Sequence, residues 1–163
     1  MNWRRMGRHL LLPGWQVRQI FPPAAMAVIE ATIGQAERAH TGQIRFAVEA
    51  ALDFPLLFKD VSARERAVEA FSALRVWDTE HNNGVLIYLL LADRDVEIVA
   101  DRGIHARVGA AAWEQICQAM EARFRAGEFE QGVHAGIEAV GALLAKHFPG
   151  KGSNELPDTP VLI

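Results

Sequence analysis

The sequence predicts an α/β protein, a three-layer α/β/α sandwich around a small mixed sheet. Three observations lead there. The run Val85-Leu86-Ile87-Tyr88-Leu89-Leu90-Leu91 is apolar at every position, the mark of a strand covered on both faces. Asp93-Arg94 then suits a tight connection into Val96-Glu97-Ile98-Val99-Ala100, which returns antiparallel. Around this hairpin the periodicities follow the order helix, strand, helix, strand, strand, helix, helix. The first strand reaches the second through a helix, so those two are expected to be parallel with a right-handed crossover.

Each element has a local cause. Residues 1–22 form a basic, aromatic extension with Trp3, Trp15 and Phe21, closed by Pro22-Pro23; partial helix is expected here, with Trp3 or Trp15 touching the domain. Residues 23–149 make up the domain proper. Proline suits a first helical turn, and Met26, Ile29, Ile33 and Ala36 recur at helical spacing until Gly42. Ile44, Phe46 and Val48 alternate with Arg45 and Ala47, which reads as a half-buried strand. Leu52 to Asp60 reads as a loop broken by Pro55. Ser62 with Glu65 forms a capping box for a helix through Val68, Phe71 and Leu74. After the hairpin, Trp113, Ile116, Cys117, Met120 and Phe124 make one helical stripe. Phe129, Val133, Ile137, Val140, Leu144 and Phe148 make another, with Gly132 and Gly136 permitting close approach. Residues 150–163 read as an extended tail ending in Val161-Leu162-Ile163.

Composition excludes several classes of function. Half the residues are hydrophobic, which is wrong for disorder, and a net charge of -3 argues against binding nucleic acid by bulk electrostatics. The charge is uneven: residues 1–29 hold Arg4, Arg5, Arg8 and Arg18 and no acid, giving +4, so the remainder carries -7. A single cysteine forms no internal disulfide. No apolar run approaches the roughly 18 residues of a membrane span, and Leu10-Leu11-Leu12 is too short for a signal peptide. The expected location is therefore cytoplasmic, with a peripheral position at the inner membrane as a refinement.

Trp77, Asn83-Gly84-Val85-Leu86-Ile87, Asp93-Arg94, Val96-Glu97-Ile98 and Asp101-Arg102-Gly103 form a pattern that continues into Phe124-Arg125-Ala126-Gly127-Glu128-Phe129 and Gly132-Val133. It resembles the TPM-domain family over roughly Ala24 to Phe148. That family includes a thylakoid-lumen phosphatase, a photosystem II repair protein and a receptor modulator, and this chain is similar to its short bacterial members. The resemblance implies the same sandwich fold. It also implies a metal- or phosphate-related site in polar loops at a sheet edge, with calcium the ion most often reported. A carboxylate is more usual in the family where Gln43 stands, and a neutral amide there implies weaker affinity for a divalent ion.

The topology alone says which polar residues share an edge. His40, Thr41 and Gln43, the segment Asp78 to Asn83, and Asp101, Arg102 and His105 are expected at one end of the sheet. Asp78, Asn82, Asn83, Asp101 and the Gln43 amide could supply oxygens to a hard cation. Alternatively these residues cap turns and pair with one another. Arg102 beside Gly103, with His105, could hold an anion bidentately, or Arg102 is a surface pair.

Hydrolytic chemistry finds little support in the motifs. Cys117 and Arg123 stand six apart, as in cysteine phosphatases, but that chemistry needs a glycine-rich loop between them. Here the intervening Gln118-Ala119-Met120-Glu121-Ala122 is mid-helix. No G-x-S-x-G elbow, phosphate-cradling glycine loop or H-E-x-x-H pair occurs, and the histidines lack ligand spacing, so zinc is not expected. A non-enzymatic accessory protein is thus the first expectation, one that binds a partner at or near a membrane and has room for a calcium ion at the sheet edge. A weak metal-dependent phosphatase is the alternative, and it rests on the resemblance. The acid-free extension, with Arg4, Arg5, Arg8 and Trp15, packs on its own domain, meets a partner protein or lies on an anionic membrane.

Overall fold

The centre of the sheet is a parallel pair, β1 (Gln43–Glu49) and β2 (Gly84–Leu90), with Ile44 opposite Val85 and Val48 opposite Leu89. β3 (Asp95–Ala100) returns antiparallel along β2, as the hairpin sequence requires. The computed structural model describes residues 3–163. Among these the sheet has the order β3-β2-β1-β4, the fourth strand being the short Val161–Leu162 paired parallel with Ala47 and Val48.

Helices cover both faces. One face receives α2 (Trp15–Ile20), α3 (Pro23–Ala36), α6 (Arg102–Val108), α7 (Ala110–Arg125) and α8 (Phe129–His147), whose Ile33, Met120, Phe124 and Ile137 pack on Phe46, Ile87 and Ile98. The other receives α4 (Phe54–Phe58) and α5 (Ala63–Ala73) against Ala47, Leu86 and Tyr88. α1 (Trp3–Leu11) lies outside both layers. The α7–α8 pair is close because α8 presents glycines: a Cβ at Gly136 would fall 2.3 Å from the Met120 sulfur. Ser62 and Glu65 form the full capping box expected for α5.

Several elements depart from the sequence reading. Every residue of β1 is buried, not half of them, because the C-terminal tail covers Gln43 and Arg45 on the second face and Arg66 of α5 covers Glu49. The stretch Leu52–Asp60 is not a plain loop: Asp53 Oδ1 accepts from the Leu56 N–H at 3.2 Å and caps α4, with Pro55 in the first turn, where its missing N–H costs nothing. Alanines, not Val68, face the core from α5 (Ala63, Ala67 and Ala70 are buried, and Val68 is exposed). Trp3 and Trp15 are largely exposed, and the buried apolar contacts of the N-terminal segment come from Val17 and Phe21, with Phe21 edge-on to Phe46 at 6.0 Å.

Candidate functional site

The starts of β1 and β2 and the end of β3 meet as the topology predicts. Gln43 pairs with Gly84, and the Asp101 N–H donates to the Gly84 carbonyl at 2.9 Å. Asp101 also caps α6, its Oδ1 accepting from the Arg102 N–H at 2.7 Å. Asn83 is fully buried; its amide donates to Thr41 Oγ1 at 3.2 Å and its carbonyl accepts from the Gln43 N–H at 3.3 Å. Asn82 adopts a left-handed φ of 50°, and its carbonyl accepts from the Ile104 N–H at 3.2 Å. Glycine is required where these loops touch. A Cβ at Gly103 would lie 2.6 Å from the carbonyl oxygens of both His81 and Asn82, and one at Gly84 only 2.0 Å from that of Val76.

Two acceptors here are buried without a hydrogen-bond partner, Asn83 Oδ1 and Asp101 Oδ2. Unsatisfied buried oxygens are uncommon and cost free energy unless something binds them. The remaining expected ligands are engaged elsewhere. Asp78 is exposed and pairs with Arg75 at 2.7 Å. The Gln43 amide anchors the C-terminal tail: Oε1 accepts from the Glu155 and Leu156 N–H groups at 3.0 and 2.9 Å, and Nε2 donates to the Ser153 carbonyl at 3.2 Å. An amide both donates and accepts, which suits backbone recognition better than a carboxylate does. Arg102 is exposed at the start of α6. His105, also exposed, lines a separate cleft of about 420 Å³ along β3 with Glu97, Trp113 and Glu114. Among the described residues no three His, Cys, Asp or Glu side chains converge as a metal-holding group.

The basic residues of the N-terminal segment lie at the opposite end of the sheet, around the β2–β3 turn. Arg5 Nε and Arg8 reach Asp93 at 2.8 Å each, and His9 Nε2 lies 3.1 Å from the same carboxylate. Burial alone would raise the Asp93 carboxyl; hydrogen bonds from Arg5, His9 and Arg8 outweigh it and hold the group below its ordinary value. Arg4 and Trp15 are exposed.

The comparisons with known proteins agree with this architecture. The TPM domain profile matches residues 16–143. The chain belongs to the TPM domain family. The BA42 protein of the psychrophilic bacterium Bizionia argentinensis, solved by NMR, is 32% identical to this TPM domain, with a TM-score of 0.76 over 86% of this chain and 93% of that one. The N-terminal domain of a protein from P. gingivalis, 17% identical, has a TM-score of 0.62 over 85% of this chain and 94% of that one, a likeness of fold. No curated protein matches the chain.

Three polar groupings in this TPM domain were not legible as sites. The Asp93 clamp read only as a turn, and His9 had no periodic signal to place it inside. Tyr88, buried in β2, donates to Glu49 Oε2 at 2.5 Å, and Arg66 Nε meets the same oxygen at 2.9 Å. Under the tail, a cleft of about 380 Å³ is lined by Glu37, His40, Gln43 and Asp158. Burial, against the hydrogen bond Glu37 Oε1 accepts from the Ile44 N–H at 2.7 Å and with the Asp158 carboxylate beside it, pushes the Glu37 carboxyl up to about 8. A run of alternating polar residues beside a polar tail was the available signal, and it read as solvent exposure. Cys117 is a half-buried helical thiol, pushed up to about 12 by burial and the nearby Glu97, so it is no thiolate nucleophile.

Proposed function

We propose that this TPM domain is a non-enzymatic binding protein whose polar sheet end takes a hard divalent cation of the calcium type, as an accessory to a protein partner. The observation that supports this reading is the pair of buried oxygens without partners, Asn83 Oδ1 just before β2 and Asp101 Oδ2 just after the neighbouring β3. Calcium accepts amide and backbone carbonyl oxygens as well as carboxylates. Asp101 would supply the charge and Asn83 a neutral oxygen, with the 81–82 loop offering carbonyls beside Gly103. With Asp78 and Gln43 committed to Arg75 and the tail, the site holds one carboxylate, and its affinity is expected in the millimolar range on the order of extracellular calcium modules.

A thermal titration tests this. A ligand bound only by the folded state raises the melting temperature. Calcium at about 10 times its dissociation constant should raise it by a few degrees, by the same mass-action argument. Asp101→Asn retains an oxygen to cap α6 and removes the charge, so it should abolish the rise. A wild-type protein whose melting temperature ignores calcium at about 10 times that millimolar dissociation constant would remove the cation from this reading.

A further inference from the structure

The first helix is mounted inside out. Arg5 and His9, one turn apart, point into the domain: Arg5 bonds Asp93, Asp60 and the Val61 carbonyl, and His9 Nδ1 accepts from the Leu52 N–H at 2.9 Å. The apolar side chains of α1 face water instead, Trp3 at 71% exposure, Leu10 at 65% and Leu11 at 81%. Positions 3, 10 and 11 share one stripe of a helix, since seven residues are nearly two turns. Trp15 follows at 58%. Leu52 and Asp60–Val61 flank α4 on its two sides, so these contacts set α1 beside α4, which exposes Phe54 at 58% and Phe58 at 66%.

A helix that turns Arg5 and His9 inward and its tryptophan and leucines outward presents an apolar face with no partner among the described residues, and soluble monomers rarely expose contiguous apolar patches of this kind. We propose that this surface docks on the interface of an anionic lipid bilayer. On the α1–α2 side the charges are all positive, Arg4 and Arg18 being exposed and the first acidic residue of the sequence being Glu30; on the α4 side exposed Lys59 stands beside Asp60, which Arg5 pairs, and Asp53 caps the helix. Tryptophan and leucine on one stripe, with arginines beside them, suit the headgroup region, where rings sit at the acyl boundary and guanidinium groups reach phosphates. The surface is a projecting helix, not a groove that would receive a partner's helix. Its docking is peripheral, since no helix of the described residues is long and apolar enough to cross a membrane. The rest of the molecule carries the negative charge, which turns this end toward the lipid. The proposal is independent of the cation site at the other end of the sheet.

The experiment is co-sedimentation of the full chain with vesicles of phosphatidylglycerol and phosphatidylcholine, against phosphatidylcholine alone. The wild type should partition onto the anionic vesicles and lose most binding on the neutral ones. Leu10→Gln with Leu11→Gln should reduce partitioning at least about tenfold, each lost acyl contact adding to the effect, with an unchanged melting temperature because both side chains are solvated. Phe58→Gln, on the other helix, should reduce it less and serves as the second variant should the first prove unstable. Failure of the wild type to bind anionic vesicles would overturn the proposal. So would partitioning indifferent to both variants, or a sedimenting dimer that the double variant dissolves, since a second copy would then cover the patch.

Discussion

The two terminal segments are both fixed to the same sheet, by opposite chemistry. The C-terminal tail is held by neutral backbone recognition. Gln43 takes two N–H groups and a carbonyl, the Arg45 guanidinium donates to the carbonyls of Pro157 and of Thr159, and β4 adds to β1. The N-terminal helix is held by charge, one carboxylate at Asp93 facing two arginines and a histidine. The difference determines what each segment exposes. Polar side chains projecting from β1 use up the tail's backbone groups, so the tail closes the sheet edge and becomes part of the core wall. A clamp made by the polar stripe of α1 leaves its apolar stripe outward, and a surface for something else results.

The largest expected effect comes from removing the charge clamp. Asp93→Ala removes the carboxylate shared by Arg5, Arg8 and the fully buried His9 side chain, leaving Arg5 its weaker pair with Asp60, and should cost about 2–4 kcal/mol, less than a fully buried pair because Arg8 is solvated. Denaturant unfolding measures it, and faster proteolysis between α1 and α2 should accompany it. A cost below about 0.5 kcal/mol would place this clamp among ordinary surface pairs and erase the contrast with the tail.

Gln43→Glu tests the other anchor. The family carboxylate at this position leads one to expect a larger calcium response. The hydrogen bonds lead to the reverse: the substitution removes the donor to Ser153 and sets a carboxylate oxygen against that carbonyl. It should cost about 1–3 kcal/mol and loosen the tail, as seen in faster amide exchange at Glu155 and Leu156. An enlarged calcium shift with an intact tail would show that the side chain turns to the polar loops instead.

A smaller effect is tied to pH. Glu37 has an ordinary value of 4.5 and is raised to about 8 in the folded protein, where Asp158 of the tail lies beside it. The stability it contributes is fully present below 4.5 and is lost as pH rises to about 8, because the unfolded chain releases that proton first. The melting temperature should therefore fall between those limits, and Glu37→Gln should flatten the fall. An equal slope in that variant would assign the pH dependence to other groups. Cys117→Ala should change least: the thiol is protonated and helical, so any trace of phosphoester hydrolysis should survive the substitution unaltered.

What could be read in advance was whatever depends on near neighbours. The wholly apolar Val85–Leu91 announced a doubly covered strand, and Ser62 with Glu65 announced a helix start, because each signal spans only a few residues. From those elements the parallel crossover followed, and with it the meeting of Gln43, Asn83 and Asp101 at one end of the sheet. The alternation in β1 was legible as well but its meaning was not: Arg45 looks solvated by pattern and is buried by a tail more than a hundred residues away, and Glu49 is buried against Arg66 and Tyr88.

Local periodicity and turn chemistry thus determined the strands, most of the helices and their order, and so which loops are neighbours. Only the tertiary structure decided which polar side chains find partners. Gln43 bonds residues 110 to 113 positions along the chain, and Arg5 meets Asp93 across 88. No composition or spacing rule encodes pairs so distant, because a polar side chain looks the same in sequence whether water or a buried backbone group satisfies it. The inverted α1 is the same lesson from the apolar side. Its composition of arginines among tryptophan and leucine was visible in the sequence, but the direction each faces depends on where a single carboxylate, Asp93, waits at the far end of the sheet.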